Sequence, residues 1–203
     1  LGVRAIILLG APAMAGLIVL AKPMLMVLFM RGAFDLQDVN MASASLIAYG
    51  SGLLSFMLIK VLAPGYYARQ DTKTPVKIGI IAMLSNMVFN IILAVPFSYV
   101  GLAIATSMSA LLNASLLYRG LHRAGVYRVS GNTLIFIGKV LFAVALMVLL
   151  LLWLSPTIND WLNWSIHQRI WHLLQLVLAG AGLYLLVILL LGGRVWRKPA
   201  VKG

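Results

Sequence analysis

Six apolar runs, each about as long as the ~20 residues a helix needs to cross a bilayer, are separated by short polar stretches. No other feature constrains the fold as strongly. A backbone in lipid has no water to bond, and an open strand leaves its peptide groups unsatisfied. All six runs are therefore expected to be helices: 5–30, 41–62, 76–96, 100–118, 134–154 and 170–191. The fold class that follows is all-α, a polytopic membrane helix bundle.

Composition agrees. Hydrophobic residues make up 63% of the 203 and charged residues 10%, where a soluble domain carries about 25% charged. The net charge of +12 does not describe a nucleic-acid surface, because the basic residues sit in the gaps between apolar runs and not along one helix face. There is no cysteine, which removes disulfides and thiol chemistry. The three histidines form no HExxH pattern. The chain opens with "LGVRAIILLG", with no initiator methionine and no signal-peptide pattern. It reads as a segment of a longer protein.

The gaps alternate in charge. The first holds Arg31 against Asp35 and Asp38. The second holds Arg69, Lys73 and Lys77 against Asp71. The third, "FSYV", is uncharged. Arg119, Arg123 and Arg128 fill the fourth, Asp160 and Arg169 the fifth, and the tail carries Arg194, Arg197, Lys198 and Lys202. Basic residues on alternate gaps place both ends of the segment, with the second and fourth gaps, in the cytoplasm. An even number of spans gives the same topology.

Within the fifth gap, Trp153, Trp161, Trp164 and Trp171 bracket "SPTINDWLNWSIHQR". Two readings stand: a short amphipathic helix on the outer surface, started by Asn159 or Asp160, or an ordered loop with aromatic anchors. Pro12 and Pro23 interrupt the first span and are expected to kink it. The second and fourth spans are rich in Gly, Ala and Ser, which allow close helix approach. The fifth and sixth are smoother and bulkier, as for a lipid-facing surface or a wall for a long apolar ligand. That shift divides the segment into a packed four-span unit, 1–131, and a two-span addition, 132–203.

Polar residues inside spans are costly and are the natural functional candidates. Lys22 lies in the outer half of the first span, to snorkel outward or meet an anion in a wet cavity. Lys60 and Lys139 lie near the inner ends, where long side chains reach lipid phosphates. Asn86 and Asn90 are four apart and share a helix face. Thr106 is expected at similar depth on the neighbouring helix. These three oxygen-bearing groups offer either a cation site for sodium or interhelical hydrogen bonds. No paired intramembrane carboxylate, P-loop or nucleophile elbow is present, so no enzyme is expected.

The stretch "APGYYARQDTKTP", Ala63 to Pro75, separates the second and third spans. Pro64 and Gly65 are expected to stop one helix, and Thr74 as N-cap with Pro75 at the first helical position to start the next. Arg69, Lys73 and Lys77 face anionic head groups. Asp71 is expected to pair with Arg69, or with a cation elsewhere in the protein, to latch a cytoplasmic gate.

"LFMRGAFDLQDV" followed by "KVLAPGYYARQDTKTPVKI" resembles the MurJ (MviN) family of lipid II flippases, of Gram-negative type. The resemblance implies the last six helices of a two-lobed MOP/MATE-like transporter fold. Spans one to four finish the second lobe, and spans five and six are an extra pair whose groove holds the undecaprenyl tail. It also implies an activity: translocation of lipid II, the undecaprenyl-pyrophosphate-linked disaccharide pentapeptide, across the inner membrane by alternating access. The partners implied are lipid II, membrane lipids and the upstream helices of the same protein. The coupling ion would be sodium or a proton, with no other cofactor. Some members hold sodium where Asn86 and Thr106 fall, but Asn90 stands where such a site has an aspartate. Another MOP-superfamily flippase or exporter, for an O-antigen lipid or as a MATE-type cation antiporter, is the alternative. A structural anchor and a small cation channel are further classes.

Overall fold

The computed structural model describes residues 2–30, 35–125 and 131–191, the side chains of residues 131 and 132 excepted. The RGxF turn, Arg128 and the basic tail lie outside the described residues. Among the described residues seven helices follow in order: α1 Gly2–Phe29, α2 Leu36–Ser51, α3 Leu53–Tyr67, α4 Lys73–Arg123, α5 Gly131–Leu154, α6 Ile158–Asn163 and α7 Ile166–Leu190. No strand occurs among the described residues.

Two of these helices do not match single predicted spans. The second span is α2 and α3 end to end, broken only at Gly52. Gly52 donates to the Tyr49 carbonyl, so the Ala48 carbonyl loses its usual donor four residues on. The Ser51 hydroxyl at 2.7 Å and the Ser107 hydroxyl of α4 at 2.6 Å donate to it instead. A side chain at Gly52 would meet the Ser107 backbone at 3.0 Å, so the break sits in close contact with α4.

α4 has 51 residues and would be about 75 Å long if straight, far beyond a ~30 Å hydrocarbon core. It is instead a hairpin. Ser98 has φ 50° and ψ −128°, near the first central position of a type II′ turn, and the chain doubles back there. Gly101 lies against the Leu93 carbonyl, where a Cβ would collide with backbone. The two arms are the third and fourth predicted spans. α4 therefore has two arms, and among the described residues the five long apolar helices supply six segments long enough to cross a bilayer.

α1 is the hub. It packs against α2 and α3 on one side and α5 and α7 on the other, while α4 packs on α2 and α3. The second arm of α4 is buried through small residues: Ala103, Ala105, Ser107, Ser109, Ala110 and Ala114. The first arm is largely bare, with Ile80, Met83, Met87, Ile91 and Val95 exposed. α5 buries Phe136, Val140, Ala143, Met147 and Leu151 at helical spacing, and α7 buries Leu176, Gly180, Tyr184 and Val187. Their other faces are exposed, as a lipid-facing pair requires. The largest apolar cluster joins Leu20, Met26, Val39, Met147, Trp161 and Tyr184.

The helix course puts Arg4, Arg69, Lys73, Lys77, Arg119, Arg123 and Lys139 toward one end of the bundle. Three of the four acids, Asp35, Asp38 and Asp160, lie toward the other. Asp35 and Asp38 form a capping box on α2: the Asp35 carboxylate accepts from Gln37 and Asp38 N–H, and Asp38 accepts from Asp35 N–H.

The fifth gap does contain a short helix, α6, but two details differ from expectation. Its cap is Thr157, whose N–H and hydroxyl donate to Asp160 at 2.9 and 2.6 Å. Trp161 is no surface anchor: it is 2% exposed and wedged into the largest cluster. Trp153 and Trp171, 81% and 60% exposed, keep the interfacial character. Arg169 donates to the Trp164 and Leu162 carbonyls and so closes the C-terminus of α6.

Candidate functional site

The polar residues of the α4 hairpin meet in a groove against α3. It has a volume of about 330 Å³. Phe56 and Ile59 form one wall, and Asn86, Thr106, Ser109 and Asn113 supply its polar groups. Asn90 Nδ2 donates to Asn86 Oδ1 at 3.0 Å, and Asn86 Nδ2 to Ser109 Oγ at 3.2 Å. Ser109 Oγ donates to the Thr106 carbonyl at 2.9 Å. The expected meeting of the two amides occurs. The hydroxyl that joins them is Ser109, since Thr106 turns its own hydroxyl back to the Leu102 carbonyl at 2.8 Å. Ser109 lies three residues from Thr106 on the same face, so helical spacing would have found it.

The chain of bonds ends in a free acceptor: Asn90 Oδ1 is buried and has no partner. As a sodium site the arrangement is poor. Asn86 Oδ1 is already occupied by the Asn90 amide, no carboxylate is present to offset charge, and the described residues hold no group of three His, Cys, Asp or Glu. A hard cation takes several oxygens, and the free ones here are few and neutral. The geometry is that of a polar seam between helices.

The second candidate place is the α3–α4 loop, where the structure corrects two expectations. α3 does not stop at Pro64 and Gly65 but runs through them to Tyr67. Pro64 loses only its own N–H, and Tyr66 in the last turn is anchored: its hydroxyl donates to the Leu117 carbonyl at 2.8 Å. The helix stops at Gln70, which has φ 61°. Asp71 N–H donates to the Tyr66 carbonyl and Gln70 N–H to the Tyr67 carbonyl, the bond pair of a Schellman motif with Gln70 in the place usually held by glycine.

α4 begins at Lys73, not after Thr74, so Pro75 is the third helical residue, where an N–H still has no intrahelical acceptor. Thr74 is not the cap. Asp71 Oδ1 accepts from Thr74 N–H at 3.0 Å. Hydrogen bonds from Thr74, then from Lys73 N–H, with Arg69 nearby, hold the Asp71 carboxyl below its ordinary range. Arg69 and Asp71 share a cavity of about 260 Å³ with Tyr66, Thr74, Gly120 and Ala124.

The lysines are dispersed. Lys22 is half-buried between buried Ala21 and Pro23, and Lys60 is exposed. Lys139 Nζ donates to the Leu191 carbonyl at 2.6 Å, so it closes the C-terminus of α7. Near it, Arg4 donates to Thr133 Oγ1 at 2.7 Å and lies over the Phe136 ring, tying α1 to α5. Lys139 thus caps a helix and Arg4 joins two helices.

Residues 1–173 match the family model described as lipid II flippase MurJ. The probable lipid II flippase MurJ of Vibrio cholerae is 60% identical over 96% of this chain and 37% of its own length. That of Haemophilus influenzae is 58% identical over 95% and 38%. A solved structure of lipid II flippase MurJ, in an inward closed conformation, superposes with a TM-score of 0.80 at 25% identity, over 96% of this chain and 38% of that one. The chain thus spans rather more than a third of the length of these relatives. With six crossings, a hairpin at Ser98 and sequence agreement along the same length, this chain belongs to the MurJ lipid II flippase family.

Proposed function

We propose that the intact protein is a lipid II flippase, carrying the undecaprenyl-pyrophosphate-linked peptidoglycan precursor from the cytoplasmic to the periplasmic leaflet. The observation that carries this reading is the agreement in fold and sequence with MurJ proteins over 96% of the chain. Residues 1–131 supply the latter part of one transporter lobe, and 132–203 the added helix pair. The bundle end rich in Arg and Lys faces the cytoplasm of a bacterial inner membrane, as the positive-inside rule requires. The bare first arm of α4 packs against the upstream helices of the same protein. The cycle is a rocking of lobes about a central cavity, with lipid II and membrane lipids as the partners and no covalent step. The Asn86–Asn90–Ser109 seam does not by itself complete a sodium cage; sodium or a proton is the coupling ion of this reading, acting together with the upstream helices.

The test uses full-length protein in liposomes loaded with fluorescent lipid II on one leaflet. Transfer to the other leaflet supports the reading. Transfer of other polyprenyl glycolipids without lipid II would replace it with the alternative of another exporter of the same superfamily.

A further inference from the structure

Pro12 sits in the interior of α1. Its nitrogen carries no hydrogen, so the carbonyl four residues before it, that of Leu8, lacks its ordinary helical donor. The Tyr184 hydroxyl of α7 donates to the Leu8 carbonyl at 2.6 Å. Tyr184 is 4% exposed and belongs to the largest cluster, so neither lipid nor water supplies that donor in its place. We infer that Tyr184 and Pro12 form one conformational device: α7 clamps α1 at Pro12 through the carbonyl that Pro12 leaves unbonded.

Two further observations support the clamp. Arg4, on the same side of Pro12 as Leu8, donates to Thr133 of α5. Ala11 is buried with Phe136 and Val140 of α5, and Ile7, Leu8 and Ile188 pack around them. The stretch of α1 before Pro12 is thus held by the α5–α7 pair at several points, and among the described residues the Tyr184 bond is the one that reaches the carbonyl freed by Pro12. α1 also contacts α2 and α3 on its other side. A change in its bend therefore couples the α5–α7 pair to the rest of the bundle. A contact made by a side chain from another helix can be released while both helices stay folded. The inference concerns this segment's mechanics and stands whether or not lipid II is the cargo.

The experiment is a double-mutant cycle in the full-length protein. Tyr184→Phe removes one hydroxyl, and Pro12→Ala restores the backbone donor. Unfolding is measured in mixed micelles of increasing SDS fraction. In the Pro12 background, Tyr184→Phe is expected to shift the unfolding equilibrium by about threefold to tenfold, as for a hydrogen bond between membrane helices. In the Pro12→Ala background the same change is expected to have a clearly smaller effect, because the Leu8 carbonyl then has a backbone donor as well. Equal shifts in both backgrounds would overturn the inference. Spin labels at Leu9 and Leu28, both exposed on α1, give a second readout. Tyr184→Phe is expected to broaden the distance distribution with Pro12 present and to leave it unchanged with Pro12→Ala. A distribution that Tyr184→Phe leaves unchanged with Pro12 present also overturns the clamp, whatever the stability shows.

Discussion

The Tyr66 hydroxyl occupies the space that a Cβ on Gly120 would fill. From there it donates to the Leu117 carbonyl at 2.8 Å. Tyr66 is 5% exposed and packs with Leu62, Ile78, Leu117 and Leu121, so its ring cannot swing away. The pair fixes the end of α3 to the end of the α4 hairpin. It also explains why α3 continues past Pro64.

Gly120→Ala separates two opposing effects. Replacing a helical glycine by alanine gains about 1 kcal/mol in helix propensity. Overpacking a filled core costs about 1–3 kcal/mol. The would-be Cβ meets a pinned, buried group, so net destabilisation is expected. It should be read from the thermal unfolding midpoint of purified full-length protein. Adding Tyr66→Phe removes the colliding oxygen and should recover part of the loss.

Gln70 predicts the opposite sign. It occupies the left-handed region, where a side chain costs roughly 1–2 kcal/mol that glycine does not. Gln70→Gly should raise the unfolding midpoint, offset in part by the greater freedom of glycine in the unfolded chain. A lowered midpoint would mean that the Gln70 side chain makes a contact worth more than the strain.

Asp71 sets a pH dependence. Its carboxyl is held below the ordinary range mainly by hydrogen bonds from Thr74. A depressed folded-state pKa contributes stability above the unfolded value, near ~4, and that stability is lost as pH falls through the folded value. Asp71→Asn should flatten the acid limb of the stability profile below about pH 4. It should leave the neutral region less stable by only the strength of a cap. A transport defect far larger than the stability change would assign Asp71 to a gate.

The Asn86–Asn90–Ser109 seam predicts indifference to sodium. Wild-type protein should unfold at the same temperature in sodium and potassium salts. Asn90→Asp places a carboxylate beside Asn86 and should create a sodium-dependent rise. Sodium stabilisation of the wild type would show that residues outside this segment complete a cage.

How much of this was legible in sequence varies from one feature to the next. The hairpin arms, the Trp153 and Trp171 anchors and the alternation of charge were readable, because lipid imposes one-dimensional rules of length, polarity and side. The Asn86–Asn90 bond was readable because four residues make one helical turn. Ser109 was missed in favour of Thr106, since a hydroxyl's rotamer depends on which neighbour offers an acceptor. Pro64 and Gly65 read as a stop, but a tertiary anchor at Tyr66 overrode them. Gln70 and Asp71 had no local signature, because a Schellman end and a cap are defined by bonds to Tyr66, Tyr67 and Thr74.

The sequence by itself determined that this segment belongs in a membrane, how many of its runs are long enough to cross one, and where its small-residue spans pack. Those properties follow from transfer of side chains and peptide groups out of water, a cost each segment meets alone. Only the tertiary structure decided that α1 is the hub, that Trp161 is core and not anchor, and that Ser107 and Tyr184 supply the donors missing at Gly52 and Pro12. A carbonyl freed by a break or a proline must find a donor. In lipid that donor comes from a side chain of the same helix, as with Ser51 at Ala48, or from an adjacent helix, and that adjacency is not written in any one span.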